Sequence, residues 1–274
     1  MKIATIIIIL AVIIALSGSS VTERSKNPPA FGFVALRQLT VPTREAVESA
    51  LATFLPPTSK ISELTIDDQA VSFKVDDQEA MFGYLPIPIP WGDLEEPCGT
   101  SWLWPEAEEQ LKDHQAHLIV MLLGDKGVHV DRCLLVTRLM AAASMAFDAI
   151  GMYWGHGPVV LSADQLQKMA LCATHERLPL LVWINFYRER NWDESFSLLT
   201  SGLNYFGCME IEILGSTSTV EDILDMALGI AQITIQGDVI KDGDTVGHDA
   251  ETKIRVRHAK SKWKRKGKVL KVEM

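Results

Sequence analysis

One order of elements recurs along this 274-residue chain and limits what it can fold into. A strand, a helix and two further strands follow from Ala30, and the same succession begins again at His117. Helices and sheets in that alternation bury one face each against the other, which predicts an α+β protein with helices packed on antiparallel sheets. The arrangement expected is two antiparallel-sheet and helix sandwiches packed together, each a ferredoxin-like module, with a basic C-terminal β-hairpin. By position these are residues 30–112, residues 113–240, and a hairpin over 241–274 packed on the second module. No repeat of residues accompanies the repeated order. With 47% hydrophobic and 22% charged residues, the composition is that of a folded protein, not a disordered one.

The elements themselves follow from local spacing. Ala30 to Leu39 reads as a strand, and Pro42-Thr43 opens a helix whose Val47, Ala50, Leu51 and Phe54 recur at helical intervals. Ile61–Ile66 and Ala70–Val75 read as strands paired around Asp67-Asp68. Ala80 to Ile89 ends in alternating Pro86, Pro88 and Pro90, which cannot sit in a central strand and predict an edge or an extended surface segment. Trp102 and Trp104 lead into a short acidic helix, Glu106–Lys112. In the second half, His117–Leu123 is a strand and Val130–Ile150 a helix apolar nearly all round, hence buried. Gly151–Trp154, Leu178–Tyr187 and Met209–Leu214 read as strands, and Ser162–His175 as a helix with a Ser162…Gln165 capping box. Ser218…Glu221 is expected to cap a last helix reaching Gln236, before strands at Lys253–His258 and Val269–Val272.

Residues 1–20 read as an address. Lys2 precedes an unbroken apolar run, Ile3 to Leu16, followed by Ser17-Gly18-Ser19-Ser20, which is the layout of a signal peptide. The run is short of the roughly 20 residues that a spanning helix needs. Ala15-Leu16-Ser17 offers a cleavage site, and without cleavage the segment is an N-terminal anchor. Residues 21–29, polar and ending in Pro28-Pro29, read as a tether. The localisation expected is therefore exported or membrane-anchored, with a cytoplasmic protein that buries this segment as the alternative.

Charge is unevenly placed. The net charge is −9, yet residues 252–274 hold ten Lys or Arg against one acid, leaving 16 bases against 34 acids elsewhere. A tail of net +9 and a body of net −18 attract each other, so contact with the body is favoured over nucleic acid. Cys98, Cys133, Cys172 and Cys208 are too widely spaced for a metal-ligand pattern and read as reduced, buried thiols, with one disulfide as the alternative.

The C-terminal third resembles an uncharacterised bacterial family, a domain of unknown function. The residues that carry the resemblance are Thr200-Ser201-Gly202-Leu203, Phe206-Gly207, Glu210-Ile211-Glu212 and Asp242-Gly243-Asp244-Thr245-Val246-Gly247, with the basic hairpin after them. It covers about Ser195 to Met274, and more loosely His114–His117 and Tyr153-Trp154-Gly155. The resemblance implies no established activity, so it assigns no catalytic residue. Relatives in bacterial conflict systems imply, by analogy alone, an immunity-like binding role.

Several constellations are candidates for chemistry. His114 and His117 could share a metal if the turn between them is helical, with Asp113 or Glu109 completing the shell. Asp242-Gly243-Asp244 starts like a calcium loop, but Val246 and Lys253 occupy ligand positions, so a tight turn at Gly243 and Gly247 is the better account. Glu210 and Glu212 alternate with apolar residues and project from one face. They form either an acid/base pair or an ion-paired face opposite Arg255 and Arg257, and the ion-pair reading is favoured. Tyr153, Trp154, His156, Glu210 and Glu212 form a candidate ligand cleft, with Gly155 and Gly157 letting backbone approach a ligand. No nucleophile elbow or nucleotide loop is present, and no cofactor is expected.

The reading is a non-enzymatic binding or interaction protein with a protein or small-molecule partner. Membrane contact through the N-terminal segment is part of it, and nucleic acid is not. The alternative is a hydrolase-like, metal-assisted enzyme using a His/Glu cleft.

Overall fold

The computed structural model describes residues 29–124, 127–247, 253–263 and 267–274. The signal or anchor expected at residues 1–20, and all but the last residue of the tether expected at 21–29, lie outside the described residues. Among the described residues, seven helices and two sheets make an α+β fold, as expected.

The first sheet contains β1 (Phe31–Leu36), β2 (Ile61–Ile66), β3 (Ala70–Val75), β4 (Gln78–Leu85), β5 (Ala116–Leu122), β6 (Gly151–Trp154) and β7 (Val159–Ser162). Its order is β2-β3-β4-β5-β1-β6-β7, antiparallel throughout. The second sheet contains β8 (Asn185–Arg190), β9 (Phe196–Ser201), β10 (Ile211–Ser216), β11 (Thr245–Val246), β12 (Ile254–Lys260) and β13 (Lys268–Glu273). Its order is β11-β12-β13-β10-β9-β8, and only β10 and β13 run parallel. The strands form sheets of seven and six where a pair of ferredoxin-like modules was expected. The first takes strands from both sides of position 112, so the division expected at 112/113 falls inside a sheet.

Local signals explain the helices. Helix α1 (Arg44–Phe54) starts at Thr43, whose hydroxyl accepts the Ala46 N–H, and it buries Val47, Ala50, Leu51 and Phe54 as their spacing predicts. Helix α2 (Trp91–Thr100) was not expected, because its flanking Pro90 and internal Pro97 look like helix breakers. Helix α3 (Ala107–Leu111) follows, and then α4 (His129–Ala146), buried over most of its surface. Helix α5 (Ala163–Cys172) carries the capping box of Ser162 and Gln165. The apolar run from Leu178 is not one strand. It forms a single turn, α6 (Leu180–Trp183), entered at Pro179, and only then β8; apolar runs of this length do not distinguish a buried turn from a strand. Helix α7 (Val220–Ile235) is capped one residue later than expected, by Thr219 and Asp222. Strand β4 lies in mid-sheet, and only the prolines beyond it run over the surface.

Alternation along β1 divides the core. Val34 and Leu36 join a large cluster shared with α1, α4, α7 and the second sheet, whereas Phe31, Phe33 and Ala35 join a smaller one under α2 and α3. Each fully buried Leu or Phe contributes about 2 kcal/mol. Cys98 and Cys133 are buried, but Cys172 is exposed at the end of α5; all four thiols are free. Among the described residues, no helix is long and apolar enough to cross a membrane.

Candidate functional site

The expected histidine pair is engaged by the proline segment. In Pro86-Ile87-Pro88-Ile89-Pro90 only the two isoleucines have an N–H to give. Ile89 donates to His114 Nε2 at 2.7 Å, and the other ring nitrogen of His114 lies 2.5 Å from the Leu111 carbonyl, which fixes the proton on Nδ1. His117 Nδ1–H donates to the Ile87 carbonyl at 2.8 Å. Burial lowers both pKa values, opposed at His114 by the Leu111 carbonyl and at His117 by that of Ile87. Both nitrogens of His114 are thus engaged, and no lone pair is left for a metal. Among the described residues, no group of three or more His, Cys, Asp or Glu could hold an ion.

Glu210 and Glu212 are not solvated, and they do not face Arg255 or Arg257. Strand β13 lies between β10 and β12, so Lys271, not Arg255 or Arg257, is opposite Glu212. Instead each carboxylate organises a loop. Glu210 accepts the Thr200 hydroxyl at 2.7 Å and the N–H groups of Gly202 and Asn204 at 2.9 and 3.2 Å. The Thr200 hydroxyl accepts the Ile211 N–H in turn. Glu212, 1% exposed, accepts the Ser261 hydroxyl and the Lys262 N–H, and so holds the chain after β12 across the sheet until Trp263 meets Tyr187 at 5.5 Å. Asp242 also serves a turn: it accepts the His258 N–H at 2.9 Å, and that bond lowers its pKa.

The expected cleft is divided by the sheet. Tyr153 stacks on Phe33 on the α2 side, whereas Trp154 faces the main core with no exposure. His156 lies just beyond β6 and stacks on Tyr205, with ring centroids 3.7 Å apart and planes 11° from parallel. His129, from the first turn of α4, meets the same Tyr205 ring edge-on at 4.5 Å. The Cys133 Sγ lies one helical turn further on, 4.0 Å from His129 Nε2. Tyr205 belongs to the short turn Leu203–Phe206 that Glu210 builds, and its hydroxyl donates to the Pro29 carbonyl at 2.5 Å. His129 and Tyr205 are not singled out in the sequence, where Cys133 reads only as a buried thiol, although the four-residue interval of His129 and Cys133 on one helix is legible.

The cluster is half-buried around a fully buried Cys133, and it is neutral. Burial, and then the nearby His129, push the His156 pKa down to about 4, with the Pro29 carbonyl opposing. Burial lowers His129 too, and it raises the Cys133 thiol, so no thiolate forms at neutral pH. His156 Nε2, His129 Nδ1 and Trp154 Nε1 are buried with no hydrogen-bond partner among the described residues. Two glycines allow the turns to cross: a Cβ on Gly157 would lie 1.9 Å from the Trp183 carbonyl oxygen, and one on Gly202 would lie 2.8 Å from the Gly157 Cα. Gly157 therefore admits neighbouring backbone where a ligand was expected.

A concavity that carries charge lies elsewhere. A groove of about 430 Å³ runs between Gly99–Trp102 at the end of α2 and Tyr187–Arg190 of β8. The Arg188 guanidinium stands over the Trp102 ring at 4.0 Å. On the hairpin, Arg255, Arg257, Lys260 and Lys268 are exposed, and none of the ion pairs among the described residues joins them to the body.

Comparison with known proteins places the C-terminal part of this architecture alone. No curated protein and no solved structure matches the chain. Residues 199–273, which include Thr200, the Tyr205 turn, both buried glutamates and the hairpin, match the domain of unknown function DUF4261.

Proposed function

We propose that this chain is a non-enzymatic binding protein. The observation that supports the reading is how the candidate catalytic groups are held. His114 and Glu210 have their polar atoms committed to the protein's own backbone and hydroxyls, and Cys133 is fully buried with its thiol pKa raised. A nucleophile or general base needs a free lone pair near its substrate, whereas His114 and Glu210 spend theirs on the protein itself and Cys133 is sealed from solvent. A protein partner fits better than nucleic acid, since most of the chain is acidic. The reading includes export or tethering through the apolar run Ile3–Leu16.

A panel of ester, amide, phosphate and glycoside substrates tests the proposal. The expected result is no turnover above buffer. Turnover that disappears on His156→Ala or Glu210→Ala would establish the hydrolase-like alternative instead.

A further inference from the structure

Strand β8 closes one side of the six-stranded sheet, and the hairpin that joins it to β9 fixes which of its backbone groups face outward. Asn191 N–H donates to the Ser195 carbonyl at 2.8 Å and Glu194 N–H to the Asn191 carbonyl at 3.1 Å, a three-residue loop with Glu194 left-handed at φ 66. Counting back from this closing pair, Glu189 and Tyr187 exchange hydrogen bonds with β9. The N–H and C=O groups of Phe186, Arg188 and Arg190 point away from it. Among the described residues, no backbone hydrogen bond joins those three to another element.

The groove beside this edge is basic on one side. Arg188 and Arg190 share a face of β8 by alternation. Arg188 makes no ion pair among the described residues, and its buried Nε has no partner. Arg190 pairs with Glu194 at 3.3 Å, both side chains being mostly exposed, an interaction worth little and readily exchanged. The loop beyond is built firmly: Asp193 accepts the Ser195 hydroxyl at 2.6 Å, and the Asn191 side chain donates to the hydroxyls of Ser195 and Ser197. That ordered loop presents Trp192 at 103% exposure, a large aromatic with no contact of its own to make.

We propose that this edge binds an extended acidic segment of a partner protein, added to the sheet as a further strand beyond β8. The inference rests on the reading of the chain as a binding protein and names its surface. Backbone groups of Arg188 and Arg190, beyond the enclosed Phe186, supply the ladder, and main-chain pairing of this kind gives affinity whatever the sequence. Selection comes from Arg188 and Arg190, which meet carboxylates at alternate positions of the incoming strand. The Trp102 wall, opposite the edge, keeps the Arg188 guanidinium in place.

The test uses the full chain and capped eight-residue peptides alternating valine with glutamate or with lysine. Binding is followed by amide shifts at β8 and by tryptophan fluorescence. The glutamate peptide is expected to bind and the lysine peptide to fail, with Arg190→Gln weakening binding by about tenfold, the size of one lost charge-assisted contact. Arg188→Gln is expected to act in the same direction. If it unfolds the groove, the exposed Arg190→Gln still decides. N-methylating the glutamate peptide at every second residue should abolish binding in one phase and spare it in the other. Equal binding of both peptides, indifference to methylation phase, or no binding at millimolar peptide overturns the proposal; so does self-association through β8 that the glutamate peptide does not reverse. Mass spectrometry of the same mixtures separates the two readings. Cleavage of the peptide defeats the non-enzymatic reading and leaves the docking edge, whereas an intact, unbound peptide defeats the edge alone.

Discussion

The seven-stranded and six-stranded sheets close their second faces by different means. In the first, apolar side chains do so on both sides: Val34, Leu118 and Trp154 face α1 and α4, while Phe33, Ile119 and Met121 face α2 and α3. In the second, α7 covers one face, and on the other a loop is drawn across by a buried carboxylate, with a second carboxylate shaping the turn beside it. A hydrophobic face tolerates many side chains of the right volume. A buried carboxylate holding several donors has few substitutes, because the donors left behind are costly. The C-terminal region is therefore specified by fewer, more demanding residues.

Four experiments would break or sharpen that contrast. The largest effect belongs to the crossing where the two sheets meet. Gly157→Ala places a Cβ inside the Trp183 carbonyl and is expected to cost more than about 4 kcal/mol, read as loss of the cooperative thermal transition. Glu210→Ala leaves one hydroxyl and two backbone N–H groups without their acceptor. It should destabilise the protein by about 3 kcal/mol in urea denaturation, with the Tyr205 turn losing hydrogen-exchange protection first.

Acid comes next. The folded state lowers the pKa of His156 to about 4 from an ordinary value of 6.5, so the unfolded chain takes up the proton first. Stability is then complete above about pH 6.5 and falls as the pH drops toward 4, by up to about 3 kcal/mol from this residue. His114, His117 and His129 act in the same direction. Urea midpoints at pH 7 and pH 4.5 measure the loss, and His156→Gln should flatten the dependence; an unchanged slope would contradict the half-buried, neutral imidazole. The smallest effect is Glu212→Ala, about 1 kcal/mol, because the Ser261 and Lys262 groups it releases can turn to water. Its signature is faster proteolysis after β12, without change at β1–β7.

Legibility in the sequence tracked how local each feature is. The Thr43 cap and apolar stripe of α1, and the Ser162…Gln165 box, lie within a few residues of what they specify, and the structure carries them as read. The run at Leu178 failed because an apolar stretch has no period to distinguish a buried turn from a strand. The expected boundary at 112/113 missed that β5 pairs with both β4 and β1, partners fixed by long-range packing and not by neighbours in the chain. The two glutamates were visible as a pair on alternate positions. Their donors, Gly202, Asn204 and Ser261, sit in loops whose return to the sheet no periodicity announces. The contact of His156 with Tyr205 was hidden for the same reason.

The bond from the Tyr205 hydroxyl to the Pro29 carbonyl has a mechanical consequence. Tension applied ahead of Pro29 enters the molecule at that bond and then along β1, which is flanked on both sides by antiparallel ladders to β5 and β6. Extraction must shear both ladders together instead of peeling one at a time, so a body pulled from this end should resist far more than one pulled through an edge strand such as β2 or β8.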